Sequence, residues 1–216
     1  RQRQMCIRDR YTKVKLGFPF LNRAKAEIGF AYGRLNDYYF QTSNMTFPNA
    51  TTDHSRYDLF AGSLSIERNS LDYKQYPISG RKQFLVAQYV TGTEKYMPSP
   101  ITDMGSFDRK VHSWLQMKGE WEQYKTISPY FNLGFMSELV LSSKNLMNNY
   151  TASVLQAPAF TPTPHSQIVF NEAFRANQYV AFGLSPILKF SKLLHFRLDM
   201  YGLTQLYEIK KGEVWI

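Results

Sequence analysis

The fold is decided by residues 57–90, which read YDLFAGSLSIERNS, LDYKQYPISG and RKQFLVAQYV. In the first part, apolar residues alternate with small or polar ones at a period of two, which is typical of a β-strand with two different faces. Between the outer parts, Asp72, Pro77 and Gly80 mark a turn. Pro77 fixes φ and cannot donate a backbone hydrogen bond, while Gly80 permits a positive φ where the chain reverses. The stretch therefore predicts an antiparallel hairpin.

The same alternation recurs along the chain and predicts further strands. They cover residues 12–18, 23–37, 57–67, 81–90, 111–124, 130–142, 179–190 and 195–207. Many exceed the ~5–6 residues of an ordinary soluble strand and reach the ~9–11 that cross a bilayer at a tilt. The connections alternate between short and long, as between the periplasmic turns and external loops of outer-membrane barrels, so Asp72, Pro77 and Gly80 are predicted to form a periplasmic turn. The sequence predicts an all-β fold, an antiparallel transmembrane β-barrel fragment of about eight strands.

In such a barrel each strand turns one face to lipid and the other to a polar interior. The predicted lipid-facing side chains include Leu115, Met117, Trp121, Leu133, Phe135 and Leu139. The predicted interior-facing charged side chains are Lys118, Glu120, Glu122, Arg197 and Asp199. A soluble β-sandwich also alternates, and a solvated sheet face also explains these charges, so it remains the alternative fold.

Composition separates the first ten residues from the rest of the 216. The segment RQRQMCIRDR is polar, lacks a strand period and holds the single cysteine, Cys6. It resembles a translated sequencing-adapter scar, so residues 1–10 are predicted to be a non-native leader and residues 11–216 a partial barrel. Four arginines against one aspartate give this leader +3 of the net charge of +9. No other cysteine follows, which excludes a disulfide framework and a Cys-ligated metal site.

A search for catalytic motifs yields no candidate. The nearest match to a G-x-S-x-G nucleophile elbow is residues 183–187, which lack the second glycine, lie within a strand and continue into proline after Ser185. Ser185 is therefore interpreted as an interior-facing serine. The four histidines are scattered without metal-ligand spacing, and no glycine-rich phosphate loop occurs. The basic residues form no patch, so no nucleic-acid partner, cofactor or metal is predicted.

Two sets of residues resemble known families. The turn LDYKQYPISGRK, with Asp72, Pro77 and Gly80, resembles a recurrent turn of the bacterial surface-antigen superfamily of barrels, although Ile78 replaces the usual threonine. That superfamily includes barrel-assembly proteins and two-partner secretion transporters. The segments SIERNSLDYKQYPISGRK, YVTGTEKY, NNYTASVLQAPAFTPTPHS and FRANQYVAFGL resemble the C-terminal barrel of patatin-like phospholipases from Bacteroidetes-type bacteria. This second resemblance runs from about residue 12 to the end.

The resemblance implies a barrel of about sixteen strands, of which this chain would lack the first and the closing ones. It implies an outer-membrane anchor or translocator for an upstream patatin-like lipid hydrolase, whose catalytic residues lie outside this chain. The implied partners are outer-membrane lipid and, during insertion, the barrel-assembly machinery; a homo-oligomer is left open. The gate motif of the superfamily's inward-folded loop is not identifiable. An assembly or secretion barrel without an enzyme domain remains the alternative function.

Overall fold

The computed structural model describes residues 6–7, 10–39, 52–98, 108–145, 147, 150–163, 165–167, 170–191, 194–207 and 209. Its strands are β1 (Cys6–Ile7), β2 (Arg10–Leu21), β3 (Ala24–Tyr39), β4 (Asp53–Asn69), β5 (Gly80–Met97), β6 (Asp108–Ser128), β7 (Phe131–Ser142), β8 (Gln178–Lys189), β9 (His195–Arg197) and β10 (Met200–Tyr207). A short helix, α1 (Tyr150–Leu155), precedes two single-turn 3₁₀ helices at His165–Gln167 and Glu172–Phe174. The strands form one antiparallel sheet, which confirms the all-β prediction.

The sheet follows chain order, with each strand paired to the next through β3, β4, β5, β6, β7 and β8. Both β1 and β2 pair with β3, and both β9 and β10 pair with β8, so each of these couples is one interrupted strand. The sheet therefore has eight strand positions, as the alternation predicts. It does not close on itself within the described residues. In the predicted leader, Cys6 pairs with Tyr38 and Ile7 with Asp37.

Several strands extend beyond their predicted ends. The largest difference is in β5, which runs from Gly80 to Met97 instead of residues 81–90. The backbone ladder continues through polar pairs because its hydrogen bonds need no apolar side chain. The first turn also moves: β2 continues to Leu21, and the reversal occurs at residues 22–23, where Arg23 has a φ of +66°. The last predicted strand is instead interrupted between Arg197 and Met200.

The two faces of the sheet differ in character. The outer face carries exposed apolar side chains, including Leu115, Met117 and Trp121, which are 48%, 41% and 38% exposed. The strand register pairs Leu139 with Gly119, Phe135 with Gln123 and Leu133 with Lys125, so all six predicted lipid-facing residues share this outer face. The inner face instead holds the buried side chains, among them Tyr57, Trp114, Val140 and Tyr179. No helix of the described residues is long and apolar enough to span a membrane.

Candidate functional site

Two segments that are not strands cover part of the inner face of the sheet. One is the inward connection, formed by the described residues within 143–177, which joins β7 to β8. The other is the inward turn, residues 70–79, which joins β4 to β5 at the opposite end of the strands. A band of charged side chains lies between them on the central strands. These three parts form the candidate functional site.

The inward connection packs on the sheet through two buried apolar clusters. In the first, Met147 and Ala152 contact inner-face side chains of β3 to β6, namely Tyr39, Tyr57, Val90 and Trp114. In the second, Phe160 and Ala176 contact inner-face side chains of β7 and β8, namely Val140, Tyr179 and Ala181. Burial of these apolar surfaces favours the folded-in position. The described part of this connection therefore lies against the inner face instead of projecting away from the strand ends.

Polar side chains hold the connection at the end of α1. Gln156 Nε2 donates to Asp37 Oδ2 of β3 at 3.0 Å. Lys144 Nζ donates to the Gln156 carbonyl at 2.6 Å, and Arg175 Nη1 donates to the carbonyls of Leu155 and Ala157 at 2.8 and 3.1 Å. The last carbonyls of a helix have no partner within it and carry partial negative charge, so two cations stabilise this end. Sequence reasoning missed both, since neither lies in a periodic segment.

A buried acid–imidazole pair lies beneath the connection. His112 Nε2 is 2.7 Å from Glu94 Oε2, and the Tyr57 hydroxyl donates to Glu94 Oε1 at 3.3 Å. Glu94 and Tyr57 are fully buried, so this pair fixes neighbouring strands in a water-poor region. In the part of the chain that the structure describes, no group of three or more acidic, histidine or cysteine side chains is placed to hold a metal.

The surroundings of Lys144, a side chain of the inward connection, strongly change its pKa. It lies beyond the end of β7, with its Nζ 4.9 Å from the centre of the Trp114 ring. Burial lowers the pKa of Lys144 from 10.5 to about 7, although the charges of Glu94 and Asp37 act in the opposite direction. A buried ammonium loses hydration, which disfavours its charged form.

We expect the stability of the inward connection in its folded-in position, the seated form, to depend on pH through Lys144. Between pH 7 and 10.5 the unseated side chain binds more protons than the seated one, so the stability of the seated form rises with pH across this window. Below pH 7 Lys144 is protonated in both the seated and the unseated form, so the stabilisation gained at higher pH is absent. Amide exchange of residues 152–157, corrected for intrinsic rates, measures the effect. Lys144→Met should abolish this slope, and an equal slope in the variant would contradict the assignment.

The inward turn owes its shape to the motif that the sequence singled out. One carboxylate oxygen of Asp72 accepts hydrogen bonds from the backbone N–H groups of Tyr73, Ile78 and Ser79, at 3.0, 3.0 and 3.2 Å. Gly80 has a φ of +103°, and a Cβ there would lie 2.2 Å from the Ser70 carbonyl oxygen. Pro77, which lies between Asp72 and Gly80 in the sequence, is buried. The three motif residues thus satisfy the backbone of a tight, non-repetitive segment.

Two inner-face side chains hold the turn against distant strands. Asn132 Nδ2 of β7 donates to the Ile78 carbonyl at 2.8 Å, and Arg197 Nη1 of β9 donates to the Pro77 carbonyl at 2.8 Å. The Arg197 guanidinium also lies over the rings of Tyr76 and Tyr124, at 5.7 and 5.2 Å. Arg197 and Pro77 are 120 residues apart in sequence, so no local pattern indicates this contact.

Loss of Arg197 should loosen the inward turn. Arg197→Met keeps the aliphatic stem but removes the donors to Pro77 and Tyr124, and we expect trypsin to cleave after the exposed Lys74 about tenfold faster. The initial cleavage rate, followed by mass spectrometry, is the measurement. Arg175→Met is the matched control, because it removes a cation from the opposite end and should leave this rate unchanged. An unaltered rate in the Arg197 variant would exclude its holding role.

The charge band joins three of the predicted interior residues into one network. Lys118 Nζ lies 2.9 Å from Glu120 and 3.1 Å from Glu138, and Lys82 Nζ lies 2.8 Å from Glu120 and 3.9 Å from Glu122. Sequence reasoning named Lys118, Glu120 and Glu122 but missed Lys82 and Glu138, because cross-strand register is not visible in one strand's pattern. Two lysines and three glutamates thus form one connected set of ion pairs across the inner face.

The other two predicted interior residues form a separate cluster with Ser185. Arg197 Nε donates to Asp199 Oδ1 at 2.7 Å, and the Ser185 hydroxyl donates to the same oxygen. A serine beside an aspartate can support nucleophilic catalysis when the carboxylate is free to accept the proton. Here the guanidinium neutralises that carboxylate, and Ser185 is buried within the paired strand β8. The geometry is that of a structural hydrogen bond.

Comparison with known proteins adds no assignment to this geometry. No protein-family model and no curated protein matches the chain.

Proposed function

We propose that the chain forms part of the wall of an outer-membrane β-barrel. The observation that carries this proposal is the distribution of polarity in the sheet, which is the reverse of that in a soluble protein. Its apolar face is exposed, with Phe30 and Leu64 at 66% and 53%, while the central charge band of Lys82, Lys118 and Glu120 on the opposite face is partly covered. A large exposed apolar surface marks a contact with lipid or with another protein, and we assign it to lipid. In lipid, the paired strands would also satisfy their backbone groups, as membrane-spanning structures must.

The role proposed for this wall is to anchor an upstream patatin-like lipid hydrolase. The anchor role is supported by the resemblance over residues 12–216 and by the bonds that hold both inner segments in place. Such bonds suit a rigid support for a neighbouring domain. Ser185 bonds a carboxylate that Arg197 neutralises, and hydrolysis is assigned to the proposed upstream domain.

An assembly or secretion barrel is the second candidate, and one observation favours it. The inward connection lies over the inner face, where a movable segment would control passage through a pore. The same Asp72, Pro77 and Gly80 turn is shared by transporters and patatin-type barrels. Export of the hydrolase by its own barrel would combine both functions.

Two experiments test these proposals in turn. The first compares gel mobility with and without boiling, and solubility with and without detergent: a membrane barrel requires detergent and changes mobility on heating. A protein that is soluble without detergent and unaffected by heating would be a soluble β-protein. The second reads the reading frame upstream of residue 11. A G-x-S-x-G elbow with a downstream Asp-Gly supports the hydrolase, whereas repeated periplasmic domains without an elbow support the assembly or secretion barrel.

A further inference from the structure

Two depressions lie at the end of the strands that carries the inward turn. The first has a volume of about 310 Å³ and is lined by the outer-face side chains Arg68, Arg81 and Gln123, and by Ser70, Gly80 and Tyr124 at the strand ends. The second, of about 520 Å³, is lined mainly by apolar side chains, including Ile66, Leu85 and Trp121. Arg68 lines both depressions, so a polar end adjoins an apolar groove.

The polar end carries two positive charges without a matching carboxylate. The register pairs Arg68 with Gln83 and Arg81 with Gln123, which places both arginines on the outer face. Within the described ranges, neither arginine makes an ion pair. The neighbouring carboxylates already have other partners. Glu120, which also borders the groove, forms ion pairs with Lys82 and Lys118. Asp72 Oδ1 accepts hydrogen bonds from three backbone N–H groups. Arg68 and Arg81 are both exposed.

The groove is apolar and continues the exposed apolar surface of the outer face. Ile66, Leu85 and Trp121 are 44%, 49% and 38% exposed and lie on adjacent strands β4, β5 and β6. Arginine binds phosphate oxygens through paired N–H donors, and a cation just beyond an apolar surface attracts an anionic headgroup. A ligand that matches both depressions has a phosphate at one end and a hydrocarbon chain at the other.

We propose that this pair of depressions, the rim site, binds an anionic phospholipid. Its phosphate lies between Arg68 and Arg81, and one acyl chain runs along Ile66, Leu85 and Trp121. The inference rests on the proposed membrane barrel, since only a wall in lipid meets such a ligand. The lipid would hold β4, β5 and β6 at a fixed depth, next to the inward turn.

The test uses native mass spectrometry of the natural full-length protein in detergent. The probes are phosphatidylglycerol, diacylglycerol with the same acyl chains, and inorganic phosphate. We expect phosphatidylglycerol to bind, and the double variant Arg68→Gln/Arg81→Gln to weaken its binding about tenfold or more. Lys74→Gln is the control: it removes an exposed cation from the inward turn, outside both depressions, and should bind the lipid like the unaltered protein.

Other outcomes overturn the rim site. Equal binding of phosphatidylglycerol by the double variant would exclude the arginines, and equal binding of diacylglycerol would exclude headgroup recognition. Inorganic phosphate bound as tightly as the lipid would indicate an anion site without a chain groove. Each protein is first tested for heat-dependent mobility in detergent. A protein whose mobility does not change on heating would reject both the membrane barrel and the rim site. A protein whose mobility does change, but which binds phosphatidylglycerol and diacylglycerol equally, would reject the rim site alone.

Discussion

Leu115→Arg should lower the free energy of unfolding in a bilayer by about 2–4 kcal/mol. Leu115 is 48% exposed on the outer face of β6 and pairs with Tyr89, within the apolar belt between Arg109 and Gln123. Arginine there must lose hydration or distort the bilayer, because no carboxylate faces it across the pair. Urea titration of the protein folded in lipid vesicles measures the loss.

The adjacent position provides the matched control. Gln116 lies on the inner face of the same strand, and Gln116→Arg should change the free energy of unfolding by less than about 1 kcal/mol. The period-two pattern alone predicts the same cost at Leu133 and tolerance at Asn132, but the structure corrects both. Leu133 pairs with Lys125 near a turn, where charge costs about 0–1 kcal/mol, and Asn132 is buried and bonded to Ile78. Equal losses at Leu115 and Gln116 would contradict the membrane orientation.

Gly80→Ala should destabilise the protein by about 3 kcal/mol through two additive effects. The residue has a φ of +103°, which side chains other than glycine rarely adopt. The new Cβ would also lie 2.2 Å from the Ser70 carbonyl oxygen, a backbone atom that cannot move without disturbing the β4–β5 hairpin. The same denaturation experiment measures the loss, and faster tryptic cleavage at Lys74 should accompany it.

Gly62→Ala is the control for this substitution. Gly62 lies on the outer face of β4, and a Cβ there meets no atom within 4 Å. Because alanine loses less backbone entropy on folding than glycine, we expect stability to stay unchanged or to rise by up to about 1 kcal/mol. If Gly80→Ala were as stable as Gly62→Ala, the turn would not depend on its positive φ.

The sequence predicted the sheet because period-two alternation reports directly on the two faces of a strand. Leu115 and Lys118 alone illustrate this, since their odd and even positions place them on opposite faces of β6. The strand ends were less predictable. Glu94 and Lys95 continue the ladder opposite Lys110 and Arg109, although the alternation predicts no strand at any of these four positions.

The inner segments could not be predicted, because they are held by contacts between distant residues. The inward connection has no period, and its position follows from apolar burial against Tyr57 and Trp114 and from cations at the end of α1. Within the candidate site, the predicted charges of β6 do come together. Their partners Lys82 and Glu138 lie on neighbouring strands, where only the register identifies them.

The most direct test of the membrane orientation uses two native tryptophans on opposite faces of β6. Trp121 is 38% exposed on the outer face, and Trp114 is 7% exposed beneath the inward connection. Two variants retain one of them each, with Trp215, which lies outside the described residues, changed to phenylalanine in both. In vesicles containing brominated lipid, we predict strong quenching of Trp121 fluorescence and little quenching of Trp114. Equal quenching of the two, or none of Trp121, would contradict a wall whose apolar face meets lipid.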